Sequence, residues 1–208
     1  MSLFLLHSLH ALPFNTCIVV VLQIVWPTRW TPGHPDFVNE DVPVFLLTVD
    51  GVHCRVQEPQ HATKSKDSSY YSHKFKQAGV NYELGISVFD NALVWMNGPF
   101  KASRHDITIF RRAGLQTQIP PGHRIIGDSG YIGEPIIIST PNAYDPVALR
   151  KFKSRARARH ESFNGRIKNF KCLDERFRHG VEQHKVVFEA ICVICQYQLE
   201  TGSPLFNT

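Results

Sequence analysis

The sequence lacks a long uninterrupted apolar run. The longest clean apolar stretch near the N-terminus, Cys17 to Leu22, is far shorter than the ~18 residues that identify a membrane span. The N-terminus also has no positively charged start followed by a small-x-small cleavage site, so we expect no secretory signal. Internal repeats and low-complexity tracts are missing as well. These absences argue against a membrane protein, a secreted protein and a repeat protein, and ordinary globular composition favours a single domain.

Cysteine is sparse and scattered. The five cysteines show no spacing typical of a disulfide-stabilised secreted domain, which predicts reduced thiols in an intracellular protein. Cys192 and Cys195 form a C-x-x-C, but it lies within "VVFEAICVICQYQL", where apolar residues recur at helical spacing. No second Cys or His pair stands at zinc-finger distance. We therefore predict that both thiols are buried in a helix.

Positive charge is concentrated in one segment. The chain has a formal net charge of +5, yet residues 150–178 alone hold eleven Lys and Arg against three acidic residues. Such local excess is typical of a surface that faces a polyanion, and the alternative is an ordinary solvated helix face.

Strand and helix patterns alternate along the chain and predict an α/β fold. The predicted helix at 103–114 has Ser103 as its cap and stops at Gly114, and the long helix to about Phe170 has Asp145 as its cap and Pro146 as its first residue. The remaining predicted elements are a strand at 42–51, a loop at 59–74, a hairpin of strands 80–90 and 92–98, a strand at 124–128, a short apolar run at 136–140 and a last helix at 181–199.

Two of the predicted strands end on an aspartate, at Asp50 and Asp128. The carboxyl ends of strands in α/β sheets form the edge where ligands bind, so the two carboxylates can share one cation if their strands are neighbours. Oxygen ligands favour Mg²⁺ or Mn²⁺ over zinc. Each aspartate alone also fits a simpler role, because aspartates at strand ends often cap turns.

A third acid, Glu161, lies on the long basic helix. Helical spacing places it opposite the apolar stripe and beside Arg157, Asn164, Gly165 and Lys168. A glycine in the middle of a helix costs ~1 kcal/mol relative to alanine, which suits a face that something large approaches. Alternatively, Glu161 only pairs with Arg157 or Lys168 on a solvated surface.

Four blocks in order, "TVDGVH", "SRHDITIF", "IIGDSGY" and "HESFNGRIKNF", resemble the catalytic domain of PIF/Harbinger-type transposases, in the DDE superfamily of endonucleases. The resemblance extends from about Trp26 to Phe206, which leaves residues 1–25 as an apolar N-terminal segment of uncertain role. It implies a ribonuclease H-like α/β fold, in which a five-stranded mixed sheet is flanked by helices.

The resemblance also implies a catalytic and metal-binding triad of Asp50, Asp128 and Glu161 that holds two Mg²⁺ or Mn²⁺ ions and cleaves DNA phosphodiester bonds. His105 and Asp106 match a His-Asp pair of the family and are given an accessory role, with Asp106 capping or orienting rather than binding metal directly. A purely structural His-Asp contact is the alternative. The basic residues Arg157, Arg159, Arg166 and Lys168 are the expected contacts to the DNA backbone.

Two functions stay open from the sequence. The chain is either a metal-dependent transposase domain acting on transposon ends, or a catalytically inactive transposon-derived module that binds DNA or a Myb/SANT-like protein. Retention of all three acids favours the first function. The short apolar segment before the resemblance, where relatives carry a DNA-binding region, favours the second. The resemblance further implies a nuclear location, allows a homo-oligomer and involves no membrane.

Overall fold

A computed structural model describes residues 44–58 and 67–208 of the chain. The segment 1–25, and residues 59–66 of the predicted loop, lie outside the described residues. The described part contains the strands β1 (Val44–Arg55), β2 (Tyr71–Ser72), β3 (Gln77–Ser87), β4 (Leu93–Lys101), β5 (His123–Ile126) and β6 (Ile138–Ser139). Its α-helices are α1 (Asp106–Ala113), α2 (Val147–Lys168), α3 (Lys171–Asp174) and α4 (Val181–Thr201).

The strands form one mixed sheet in the order β4-β3-β1-β5-β6, with the two-residue strand β2 pairing the start of β3. Strands β1, β3 and β4 are antiparallel, whereas β1, β5 and β6 are parallel. This mixed sheet of five main strands and the two-residue β2, flanked by helices, confirms the predicted ribonuclease H-like fold. The hairpin of β3 and β4, with its turn near Asp90, is confirmed as well.

Strand β1 is longer than the sequence predicted. It continues past Asp50 as far as Arg55, which pairs with Gly79 of β3. On its other side, the last pair with β5 joins Thr48 to Ile126. Asp50 therefore lies where β1 loses its parallel neighbour and keeps its antiparallel one. The apolar run ends where pairing on one side ends, so apolar character alone predicts too short a strand.

Two predicted helix caps are wrong. Helix α1 begins at Asp106 with His105 at its N-cap and no side-chain cap, rather than with Ser103. It ends as predicted at Gly114, whose φ of 85° favours glycine. Helix α2 has Pro146 at its N-cap, because the carboxylate of Asp145 accepts a hydrogen bond of 2.6 Å from Lys153 Nζ instead of capping the backbone. That ion pair is largely buried.

Apolar side chains cover both faces of the sheet. On one face, β1 and β3 pack against α2 and α4, and Phe163, Ile167 and Phe188 are fully buried there. On the other face, Leu47, Ile125 and their neighbours pack against α1. Cys192 and Cys195 lie buried on α4 as unpaired thiols, which confirms the prediction for them. None of the helices in the described ranges is long and apolar enough to cross a membrane.

Candidate functional site

Three aspartates from separate parts of the chain meet at one edge of the sheet. Asp50 lies within β1, Asp128 follows β5, and Asp106 is the first residue of α1. The last pair of the parallel ladder joins Thr48 of β1 to Ile126 of β5. Asp50 and Asp128 each follow their member of this pair by two residues. The two carboxylates are close enough for the charge of Asp128 to act on Asp50.

Two glycines allow Asp106 to approach the strand ends. A methyl group at Gly130 would lie 2.7 Å from Asp106 Oδ2 and 3.0 Å from Asp128 Oδ1. A methyl group at Gly51 would lie 2.9 Å from Asp106 Oδ1. Any side chain at either position would therefore collide with a carboxylate. The "DSGY" turn keeps Gly130 close to Asp128, whose Oδ1 accepts a hydrogen bond of 2.8 Å from the Gly130 N–H.

The carboxylate of Asp50 is fixed by two donors. The Gly51 N–H donates to Oδ1 at 2.8 Å, and Asn164 Nδ2 donates to Oδ2 at 2.9 Å. Asn164 comes from α2, so this bond links the helix to the aspartates. The other amide atom, Asn164 Oδ1, is buried and has no hydrogen-bond partner among the described residues. A buried acceptor without a donor is costly, and a bound cation would satisfy it.

Burial and neighbouring carboxylates raise the pKa values of Asp50 and Asp106. Burial and, after it, the charges of Asp128 and Asp106 raise the pKa of Asp50 to about 6, although the Gly51 hydrogen bond opposes this. Burial and the charge of Asp128 also raise the pKa of Asp106, while Lys74 lowers it. Positive charge placed among these side chains would reverse both effects. The site therefore favours a cationic ligand.

Glu161 lies one helical turn before Asn164 on α2, and residues three apart share a helix face. Its side chain is exposed and makes no hydrogen bond or ion pair with the described residues. The structure thus brings together Asp50, Asp106 and Asp128, and it leaves Glu161 at the solvent-facing margin of this group. Gly165, next to Glu161 on the helix surface, has open space around it.

Three of the four basic residues predicted to contact DNA bind carbonyl groups of the chain itself. Arg159 is 3% exposed, and its guanidinium donates to the carbonyls of Ser87 and Asp90. Arg166 donates to the Ser203 and Pro204 carbonyls near the C-terminus. Lys168 donates to His53 O and Leu173 O at 2.5 and 2.8 Å. Arg157 is half-buried and has no such partner among the described residues.

The His-Asp pair divides into two roles. His105 is exposed at the N-cap of α1 and makes no side-chain cap bond. Asp106 turns toward Gly51, Gly130 and the other two aspartates, and so it stands in the acidic group itself. This placement is more central than the accessory position that the sequence suggested for Asp106.

The side chains at this edge suit a hard divalent cation in their chemistry. They offer carboxylate oxygens and the unpartnered amide oxygen of Asn164, which are the ligand types that Mg²⁺ and Mn²⁺ prefer. Within residues 44–58 and 67–208, however, no group of three His, Cys, Asp or Glu side chains is arranged so that it could hold a metal ion unaided. A cation bound at this edge would therefore need further ligands, such as Asn164 Oδ1.

Sequence reasoning missed several residues near the aspartates. Asn164 was noted only as a neighbour of Glu161, although its spacing of three residues already placed it on the same helix face. His53, Phe75 and Lys74 line a cavity of about 150 Å³ together with Asp50 and Asp106. Lys74 is the last residue of the predicted loop at 59–74, and Phe75 follows it outside every predicted element.

The fold is a ribonuclease H-like α/β fold with three aspartates at one edge of its sheet. Residues 49–196 match the family model described as DDE superfamily endonuclease, and this match covers well over half of the chain. The chain therefore belongs to the DDE superfamily endonuclease family. No curated protein and no solved structure matches it.

Proposed function

We propose that the chain is a divalent-metal-dependent DNA endonuclease or transposase domain. The observation that carries this proposal is the meeting of Asp50, Asp106 and Asp128 at one edge of the sheet, beside the unpartnered oxygen of Asn164, in a chain of an endonuclease family. Hydrolysis of a phosphodiester needs charge neutralisation at the phosphate, and carboxylates alone cannot supply it. A metal held by them can.

In this proposal, Asp50 and Asp128 hold the metal, and Asp106 adds a carboxylate from α1. Asn164 orients Asp50 through one amide atom and presents the other toward a ligand. Glu161, one turn away on the same face of α2, remains the proposed third acid of the triad. When bound, a pair of Mg²⁺ or Mn²⁺ ions would supply Lewis acidity to the attacking and leaving oxygens of the phosphodiester.

The resemblance to PIF/Harbinger-type transposases extends the proposal to transposon ends as the DNA substrate. It also suggests a Myb/SANT-like partner, a homo-oligomer and a nuclear location. Among the predicted phosphate contacts, Arg157 remains in the proposal because its guanidinium has no carbonyl partner among the described residues. The buried Arg159 is not proposed as a phosphate contact.

A plasmid-nicking assay tests the proposal. The chain should nick supercoiled DNA with Mg²⁺ or Mn²⁺ and not with EDTA. The variants Asp50→Asn and Asp128→Asn should each lower the rate about 100-fold or more, because changes to groups that merely support metal ligands already cost 10- to 100-fold. Asp174→Asn, at an exposed position on α3, is the matched control.

A second function has its own support, since Glu161 is exposed and the acids alone do not form a metal site. In that case the chain binds DNA or a protein without cleaving DNA. Absence of nicking by the parent chain, or nicking that survives Asp128→Asn, would exclude catalysis at this site. Glu161→Gln tests the third acid separately, because it should abolish nicking only if Glu161 joins the aspartates during the reaction.

A further inference from the structure

Phe75 is an exposed aromatic residue close to the aspartates. It lies in the turn at residues 73–76 between β2 and β3, is 45% exposed, and lines the same cavity as Asp50 and Asp106. We propose that Phe75 is a stacking platform for one unpaired nucleobase of the DNA strand beside the phosphate that is cleaved. This inference rests on the proposed function and identifies an unstacked nucleotide as part of the substrate.

The His53 ring supports one face of the Phe75 ring. The Phe75 ring stacks on the His53 ring, with centroids 4.3 Å apart and planes 14° from parallel. His53 Nδ1 lies 3.0 Å from Asn81 Oδ1, a hydrogen bond that sets the orientation of the imidazole. The same ring lies on the backbone of Gly79, where a methyl group would come within 2.6 Å of Nε2. His53 therefore supports Phe75 from the sheet.

Besides the His53 ring, the Phe75 ring carries the ammonium of Lys74, whose Nζ lies over it at 5.4 Å from the centroid. The Lys74 side chain is exposed, so a flat ligand that stacks on Phe75 would displace it into solvent. The cavity of about 150 Å³ has the volume that admits one benzene ring in an engineered protein cavity. Every base has a π face, so stacking on an aromatic side chain tolerates any sequence.

Positive charge lies next to the platform along the chain. Lys74 and Lys76 flank Phe75, and Lys76 adopts a left-handed backbone with φ of 54°, a conformation that usually selects glycine. Lys76, Arg55 and Arg176 also line a second cavity of about 560 Å³. None of these four cations has an ion-pair partner within the described ranges. A single strand with its base on Phe75 would therefore find cations for the phosphates on either side.

The test uses the full chain and a single-stranded oligonucleotide that carries one 2-aminopurine. Binding is followed in EDTA by fluorescence anisotropy and by quenching of 2-aminopurine, so that cleavage is not required. Phe75→Ala should weaken binding about 5- to 100-fold and abolish the quenching, as expected for loss of one stacked base. The slope of affinity against salt should stay unchanged, because no phosphate contact is lost.

Matched variants separate stacking from folding. Phe75→Trp should retain affinity and quenching, whereas Phe75→Leu, which keeps apolar bulk without a π face, should lose both. Phe206→Ala removes a similarly exposed phenylalanine next to Arg155 and should change neither. Parent-like affinity and quenching in Phe75→Leu, or no binding by the parent chain, would overturn the inference.

The outcome is distinct from that of the nicking assay. If the chain does not nick plasmid but binds the oligonucleotide through Phe75, the proposed catalysis is wrong and the stacking site is supported. If nicking depends on Asp128 and the Phe75 variants bind the oligonucleotide like the parent, the proposed catalysis is supported and the stacking site is wrong.

Discussion

The cations of helix α2 and those of the turn at residues 73–76 differ in what they contact. On α2, Arg159, Arg166 and Lys168 donate to carbonyl groups of the chain itself. At the turn, Lys74 and Lys76 are exposed and have no ion-pair partner in the part of the chain that the structure describes. A basic segment in the sequence is thus not equivalent to a basic surface. The density of Lys and Arg is highest on α2, but three of its cations are held by carbonyl groups, whereas both lysines of the turn are exposed.

The acids divide in the same way. Glu83 on β3 is 1% exposed, and its Oε2 accepts a hydrogen bond of 2.9 Å from Trp95 Nε1. Asp50, Asp106 and Asp128 are only partly buried and face one another. Charged side chains that bind groups within the chain should affect the free energy of unfolding. Charged side chains at the aspartates and the turn should affect DNA cleavage and DNA binding. Four predictions test this division.

The largest effect on stability is expected from Arg159→Ala. The substitution leaves the buried carbonyl of Ser87 and the carbonyl of Asp90 without their donor, and we expect the free energy of unfolding to fall by about 3 kcal/mol or more. Urea denaturation measures this. Arg157→Ala, on the same helix, should cost less than about 1 kcal/mol. Equal losses in the two variants would show that burial of the guanidinium does not separate the two groups of cations.

The next effect concerns Glu83 and depends on pH. Burial raises the pKa of Glu83 to about 7, above its ordinary value of 4.5. Between these two values the folded protein keeps a proton that the unfolded chain has lost, so stability falls as pH rises through this window. Glu83→Gln keeps an acceptor for Trp95 and cannot ionise. We expect it to gain about 2 kcal/mol relative to the parent between pH 5 and pH 8.

The difference between the parent and Glu83→Gln is the quantity to measure, by urea denaturation at each pH. Buried histidines such as His160 and His184, whose pKa values are lowered by burial, change the stability in the opposite direction and cancel in this difference. Glu182→Gln, at an exposed position on α4, is the control and should show no such gain. A constant difference across this pH range would mean that Glu83 is ionised in the folded protein.

A smaller effect is expected from Lys168→Met, which keeps the aliphatic stem and removes the ammonium group. Its two carbonyl partners lie on β1 and α3, so the loss should be about 1 to 2 kcal/mol of unfolding free energy. Lys171→Met, on the exposed surface of α3, should be nearly neutral. Lys168→Met should leave the salt dependence of DNA binding unchanged. A shallower slope of log affinity against log salt would show that Lys168 does contact DNA.

The sequence predicted the fold better than the site because the two depend on different information. Apolar periodicity and the glycine at 114 are local signals, and they located most strands and helices within a few residues. The role of Asp106 depends on close approach to Gly51 and Gly130, which lie far from it along the chain. That proximity follows from packing of α1 on the sheet and leaves no trace in local spacing.

Local sequence spacing also fails to predict the burial of Arg159. On a regular helix it lies among other basic residues, and only the path of the β3–β4 turn, which brings the Ser87 and Asp90 carbonyls to it, decides its partners. The triad of Asp50, Asp128 and Glu161 stays a prediction, since the structure aligns the first two and leaves the third exposed. Asn164 would have been found by asking which side chains share a face with Glu161 and can also donate a hydrogen bond.

The smallest effect on stability, and the clearest on binding, is expected at the turn. The double variant Lys74→Gln, Lys76→Gln should change the free energy of unfolding by no more than about 0.5 kcal/mol, because both side chains are exposed. If both lysines contact phosphates, the slope of log affinity against log salt for single-stranded DNA should fall by about 0.7 for each lysine. Lys171→Gln with Lys185→Gln removes the same charge from helices α3 and α4, and so it controls for net charge. An equal loss of slope in both double variants would mean that the chain attracts DNA through its overall charge, and the contrast between the turn and helix α2 would then have no bearing on where the strand binds.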